Sequence, residues 1–203
     1  MAEQSTVNTV IEALVAFGTV AVAVLAIWGD WFRAKLAPPK LEIDLLSETG
    51  QPTTLDQVKA IYYHLKVINR REWQPGQDCR VLLKSITKRG PDGLFHPIPL
   101  PVPLQFIWAP AEFSAPTVTL VKEQIVDFGV VREDQKRFIP LFYTTPSSYS
   151  GYVGPNEAIR FLVEIEAKNF SSPPQVFEVA WDGVWSYEAG EMSRHLRLKK
   201  VEP

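Results

Sequence analysis

The sequence predicts a mainly β protein: an N-terminal transmembrane α-helix followed by an antiparallel β-sandwich. Three observations carry that prediction. Residues 10–28, VIEALVAFGTVAVAVLAIW, are almost wholly apolar. A helix rises ~1.5 Å per residue, so this run is just long enough to cross a hydrocarbon core of ~30 Å. Beyond it, short runs alternate apolar and polar residues, the period of half-buried strands. The breaks between those runs hold most of the chain's 17 prolines.

The chain divides into a short tail over 1–9, a transmembrane and juxtamembrane helix over 10–37, and a soluble domain over 38–203. Thr9-x-x-Glu12 fits a capping box, with Thr9 as N-cap and Glu12 reaching back to its amide. The alternative role for Glu12 is an intramembrane functional contact. Trp28, Trp31, Phe32 and Leu36 share one helical face, and tryptophan favours the membrane–water interface. Pro38-Pro39 ends the helix, because proline lacks the amide donor and clashes with the preceding turn. A cleaved leader calls for a basic start, a shorter apolar run and a small-residue cleavage site. Residues 1–9 hold no Lys or Arg, and bulky and charged residues follow the run, so an uncleaved span is expected. A core helix that is apolar all round needs a large protein around it, and residues 38–203 are too few and read as β.

Residues 41–45, LEIDL, alternate and predict the first strand. A polar loop is expected over 47–57, with Gly50 and Pro52 as breakers. In 61–70, Ile61, Tyr63, Leu65 and Val67 share a face, with His64 and Lys66 on the other. Gln74-Pro-Gly-Gln-Asp turns the chain, and Cys79, Val81 and Leu83 begin the returning strand. Residues 88–93 form a further turn. Prolines at 97, 99, 101 and 103 recur with a period of two, unlike Pro-x-x-Pro ligands. Proline cannot donate to a ladder, so this segment belongs at a sheet edge or in an extended linker; a motif read by a partner is the other reading. Strands are expected at 118–121 and 125–131, or one strand with a break, and at 138–143, then a loop over 144–157. Ile159, Phe161, Val163 and Ile165 point inward on the strongest strand, with Arg160, Glu164 and Glu166 outward. A strand over 176–181, a hairpin-type turn at Asp182-Gly183 and a basic strand over 195–201 close the chain, with a helical turn as an alternative within 188–196. Eight to ten short strands fit a sandwich or open barrel.

Composition narrows the function. A net charge of −2 over 203 residues argues against nucleic acid as partner, since phosphate binding needs a basic face. Basic clusters at Arg70-Arg71 and over 197–200 read as solvated surface. The single cysteine, Cys79, forms no internal disulfide, which suits a reducing compartment or a disulfide-free domain outside the cytosol. His64, His96 and His195 stand in no metal-ligand spacing, and neither a Gly-x-Ser-x-Gly elbow nor a glycine-rich phosphate loop is present. No cofactor is expected. Glu164 and Glu166 suit acid–base work but read more simply as a strand's solvent face.

Two surfaces stand out. Tyr143, Tyr149 and Tyr152 in a Ser/Gly/Pro-rich loop, with Trp181 and Trp185 around a tight turn, form a candidate recognition surface. The other reading puts Trp181 in the core with Trp185 packed over it. On the span, Glu12, Ala16, Thr19, Ala23, Ala26 and Asp30 are spaced 4, 3, 4, 3 and 4 apart, one continuous stripe of small and polar residues. That stripe is a candidate face for packing against a copy of itself or a partner helix.

Over residues 41–203 the layout resembles immunoglobulin-like sandwiches, chiefly in the strands flanking Asn69 and the turn to Cys79, without their Cys…Trp…Cys framework. The whole chain resembles small bacterial single-span membrane proteins of unassigned role. The expectation is a non-catalytic interaction module on a lipid-embedded anchor, with an unidentified protein as partner. Lys and Arg near a span stay in the cytoplasm; Arg33, Lys35 and Lys40 place the domain there. Two alternatives remain: an oligomerising membrane effector, and a membrane-tethered enzyme using His64, His195 and Asp182.

Overall fold

The computed structural model describes residues 2–111 and 114–202, with side chains described from 11 to 29 and from 37 onward. It divides into two compact units, Met1–Pro38 and Pro39–Pro203.

The first unit is one helix, α1 (Ala2–Leu36). It begins well before Thr9, so Thr9 is not an N-cap and residues 2–9 are helical. Ala2, Glu3 and Gln4 are strong helix formers, and no Gly or Pro interrupts the helix before Gly18. The apolar stretch Ile11–Gly29 has a mean hydropathy of 2.2, long and apolar enough to span a membrane, and none of it is buried. Thr19 Oγ1 donates to the Val15 carbonyl one turn back at 2.8 Å, so its proton is satisfied within its own helix. The Asp30 end of the small-residue stripe lies outside the described side chains.

The second unit is built of strands β1 (Leu41–Leu45), β2 (Gln51–Leu55), β3 (Val58–Asn69), β4 (Gly76–Arg89), β5 (Phe95–Ile98), β6 (Leu104–Gln105), β7 (Ile107–Trp108), β8 (Val118–Leu120), β9 (Glu123–Arg132), β10 (Phe138–Pro140), β11 (Glu157–Ala167), β12 (Phe170–Ser171), β13 (Gln175–Trp181) and β14 (Leu196–Val201), with a short helix α2 (Ala189–His195). They form two antiparallel sheets in a sandwich-like arrangement. The first runs β1-β3-β9-β10, with β2 on β3 and β7 on β9. The second runs β14-β13-β11-β4-β5, with β6 and β8 on β4 and β12 on β11.

Alternation fills the space between the sheets. Ile61, Tyr63, Leu65 and Val67 of β3 face Ile159, Phe161, Val163 and Ile165 of β11 in one apolar cluster. Phe128 stands at its centre, with ring centroids at 5.5 Å from Phe106, Phe138 and Phe161 and 5.9 Å from Phe177. A Cβ on Gly129 would meet Phe138 Cζ at 2.3 Å, so only glycine lets that ring lie flat on β9. Where β1 and β14 edge past one another, Lys200 Nζ donates to the Ile43 carbonyl at 2.9 Å.

Three expectations change. The loop over 47–57 contains β2, a strand on the open side of β3, closed by Asp56 and Gln57, both with positive φ as a two-residue hairpin requires. The strand after Cys79 does not return along β3: β4 lies in the opposite sheet. Buried Asn69 braces that crossover, donating to the Gln74 carbonyl at 2.9 Å and accepting the Arg71 amide at 3.0 Å. The strands expected at 118–121 and 125–131 are both present, as β8 and β9 in different sheets, so they are not one strand with a break. Asp182-Gly183 is not a hairpin turn, because the chain runs through α2 before β14 pairs with β13. The proline-rich segment does supply an edge strand, β5.

Candidate functional site

The end of β13 delivers the best-formed site. After Trp181 the chain bends sharply, with Asp182 Oδ1 accepting the Val184 amide at 2.8 Å and Trp181 Nε1 donating to the Val184 carbonyl at 2.9 Å. Gly183 has φ +96 and packs on Pro155, where a Cβ would collide at 2.6 Å. Helix α2 is pinned by fully buried Met192 and places Arg194 and His195 in its last turn. His195 Nδ1 then lies 2.8 Å from Asp182 Oδ2. The histidine's hydrogen bond, and next the Val184 amide, hold the Asp182 carboxyl below its ordinary value.

This pair borders an open cleft of about 330 Å³ whose wall includes Arg89, Arg194 and Arg197. Its floor is small: Ala180 of β13 pairs with Ala158 of β11. One row further along the same outer face, Glu178 pairs with Arg160 on one side and Lys199 on the other. Its side chain is only 3 % exposed and collects Arg160 at 2.8 Å, Arg89 at 3.1 Å and Lys199 at 3.2 Å. Burial opposes its charge, but the hydrogen bonds from Arg160 and Lys199 prevail and hold its carboxyl below the usual range. Arg89 and Arg160 also stack on Phe95, at 5.1 and 3.9 Å from the ring centroid.

A second cleft, about 550 Å³, opens on the other sheet between β2 and the chain at Ala109 to Ala111. His64 and Asp127 line it, with Nδ1 3.0 Å from Oδ1 and side chains 13 % and 5 % exposed. The two atoms are close but out of line for a hydrogen bond. A register shift between Tyr63 and His64 brings the pair together.

The expected recognition surface is only partly outside. Tyr149 is buried, edge-on to Phe142 at 5.4 Å and to Tyr152 at 5.2 Å, with its hydroxyl donating to the Gly151 carbonyl. Trp181 is buried in the core cluster, and Trp185 packs against it half-buried. Only Tyr143, whose hydroxyl donates to the Ala115 carbonyl at 2.6 Å, Tyr152 and Trp185 keep accessible surface. Val153 hydrogen-bonds Phe138 and draws the loop inward. Of the enzyme candidates, His195 and Asp182 meet and His64 lies apart in the second cleft. Glu164 and Glu166 form cross-strand ion pairs, Glu166 with Arg80 at 2.7 Å and both with Lys84. His96 pairs with Asp92 across its turn at 2.8 Å. Among the described residues, no three His, Cys, Asp or Glu are grouped to hold a metal.

Sequence reading missed Asp127, Glu178 and Arg89. Glu178 carried a signal: a lone acid in the apolar run VFEVAW. Neither a family model nor a curated protein matches this chain.

Proposed function

We propose that this chain is a single-pass membrane protein whose β-sandwich is a cytoplasmic interaction module of immunoglobulin-like type. The observation that carries the reading is the exposed apolar stretch Ile11–Gly29 ahead of a unit with its own closed core. Arg33, Lys35 and Lys40 on its C-terminal flank support the orientation. The strand order supports the immunoglobulin-like type: β1-β3-β9 opposite β5-β4-β11-β13 follows the A-B-E and C′-C-F-G arrangement. Small bacterial single-span proteins of unassigned role are the group this architecture fits. An impermeant thiol reagent on intact cells, with a cysteine introduced near residue 200, tests the orientation. No labelling is expected, and strong labelling places the domain outside. Cys79 does not compete, because it is buried and burial pushes its thiol up to about 11.

An oligomerising effector is the same reading with the helix as contact. Its face is Glu12, Ala16, Thr19, Ala23 and Ala26, all small or polar. Replacing Ala16 and Ala23 together by Leu is expected to weaken association in a transmembrane two-hybrid assay, whereas Val20 and Val24 replaced together are not. Equal signals dismiss the face.

The tethered-enzyme reading gains one observation, His195 Nδ1 at 2.8 Å from Asp182 in an open cleft. Such an aspartate orients a histidine for general-base work. Turnover of a chromogenic phosphate or carboxylate ester, lost in His195→Ala, would favour it over the binding module. No turnover of either ester leaves the binding module as the reading.

A further inference from the structure

We propose that the cleft at the outer face of the β14-β13-β11-β4 sheet binds a phosphate-bearing anion, either a free phosphomonoester or the phosphate headgroup of an acidic lipid. This deepens the interaction-module reading by naming a ligand chemistry, and it does not depend on the anchor.

The argument begins with the strand register. Arg197 pairs with Ala180, and Ala180 with Ala158. On the far side of β11, Ile159 pairs with Lys88, and Arg89 is the next residue. Crossing the sheet, the row therefore reads arginine, alanine, alanine, arginine. Neighbouring strands lie ~4.8 Å apart, so two cationic walls stand roughly 14 Å apart over a floor of two methyl groups. Any larger side chain on that floor would fill the trough. Arg194 and His195, delivered by α2, close its end.

The cations are positioned and in excess. Arg89 and Arg160 stack on Phe95 and share the buried Glu178 carboxylate with Lys199. One negative charge thus faces three positive ones. Arg197 makes no ion pair among the described residues. The two acids bordering the cleft have partners of their own. Asp182 is bound to His195 and the Val184 amide, while Glu157 is bound to Lys88 and the Gly154 amide. Guanidinium groups present paired parallel donors and lose little freedom when already stacked. Two of them on opposite walls suit a tetrahedral oxyanion with several acceptor oxygens better than a planar carboxylate. The cleft, at about 330 Å³, leaves room for the group that carries the phosphate.

The test uses the full chain in phosphatidylcholine nanodiscs. In one arm glycerol 3-phosphate is titrated in by calorimetry. In the other, flotation measures capture by vesicles of phosphatidylcholine with or without phosphatidic acid. Saturable binding is expected in one arm, and that arm identifies the source. Arg197→Gln and Arg89→Gln should each weaken it at least tenfold. Ala180→Leu, which blocks the trough without changing charge, should abolish it, while the remote Lys122→Gln leaves it intact. Circular dichroism confirms that each variant is folded. Absence of saturation in both arms overturns the proposal. So does binding that survives Ala180→Leu, because that is diffuse surface attraction. Release of inorganic phosphate during the titration would overturn the non-catalytic reading and leave the site assignment standing.

Discussion

One sandwich holds a His–Asp pair on each of its outer faces, and the two are built in opposite ways. His64 and Asp127 lie deep in the cleft beside β2, with side chains 13 % and 5 % exposed. His195 and Asp182 sit at the mouth of a cleft, 24 % and 49 % exposed, among arginines. The first pair is brought together by a register shift in the middle of paired strands, the second by a sharp bend and a one-helix detour between strands. The difference teaches that residue type alone does not assign a role. A buried pair serves the packing of two strands at a register shift, whereas an open pair beside the arginines of a cleft is available to a ligand.

The strongest way to break this comparison is to remove one partner of the buried pair. His64→Leu leaves the Asp127 carboxylate enclosed without a counter-group, and breaking such a pair costs about 3 kcal/mol. The urea midpoint should fall accordingly with the slope unchanged. A loss near zero would mean that the carboxylate is solvated, and the two pairs would then differ in address only.

Glu178 gives the next largest effect and sharpens the comparison on the cleft side. Glu178→Gln keeps the shape but strips the counter-charge from Arg89, Arg160 and Lys199. The acid is buried while its cations are half-exposed, so the expected cost is about 2 kcal/mol, below that of a fully enclosed pair. The sign of its pH dependence follows from a carboxyl held below its ordinary value. Its stabilisation is complete above the unfolded pKa of roughly 4.3 and is lost as pH falls through the folded value. Wild type and variant should therefore differ at pH 7 and converge once the pH has fallen below the folded value. A gap that persists in acid would assign the loss to packing.

Much of the fold was legible because alternation is a local signal. LEIDL is β1 to the residue, and the inward set Ile159, Phe161, Val163 and Ile165 lies in the core as its period requires. The strand β2 was hidden because QPTTL has almost nothing apolar to alternate; β3 and the turn at Asp56-Gln57 hold it in place. Asp182-Gly183 misled because a turn dipeptide specifies a bend and leaves the next element open, here a helix and not a strand. Tyr149 read as exposed among Ser, Gly and Pro, yet the Val153–Phe138 contact folds that loop onto Phe142. The sites were less legible still. The row of Lys199, Glu178 and Arg160 exists only once β11, β13 and β14 are in register, and no spacing in the chain encodes it.

The smallest effect is expected at the open pair. Asp182→Asn keeps the acceptor for the Val184 amide, so the bend after Trp181 should survive. What it removes is one of the two carboxylates facing His195, the other being Glu191 at 3.6 Å, in a pair half open to water. Exposed ion pairs contribute about 0–1 kcal/mol, so the urea midpoint should move by less than a third of the shift in His64→Leu. The substitution also deletes one of the two acids bordering the cleft and leaves Arg89, Arg194 and Arg197 in place. If the cleft is an anion site, glycerol 3-phosphate or phosphatidic acid should bind Asp182→Asn at least as tightly as wild type. A large stability loss would make this pair structural like its counterpart, and the contrast between the two faces would collapse. A small stability loss with weakened binding would show that Asp182 positions His195 for the ligand, giving the open pair the orienting role that the buried pair lacks.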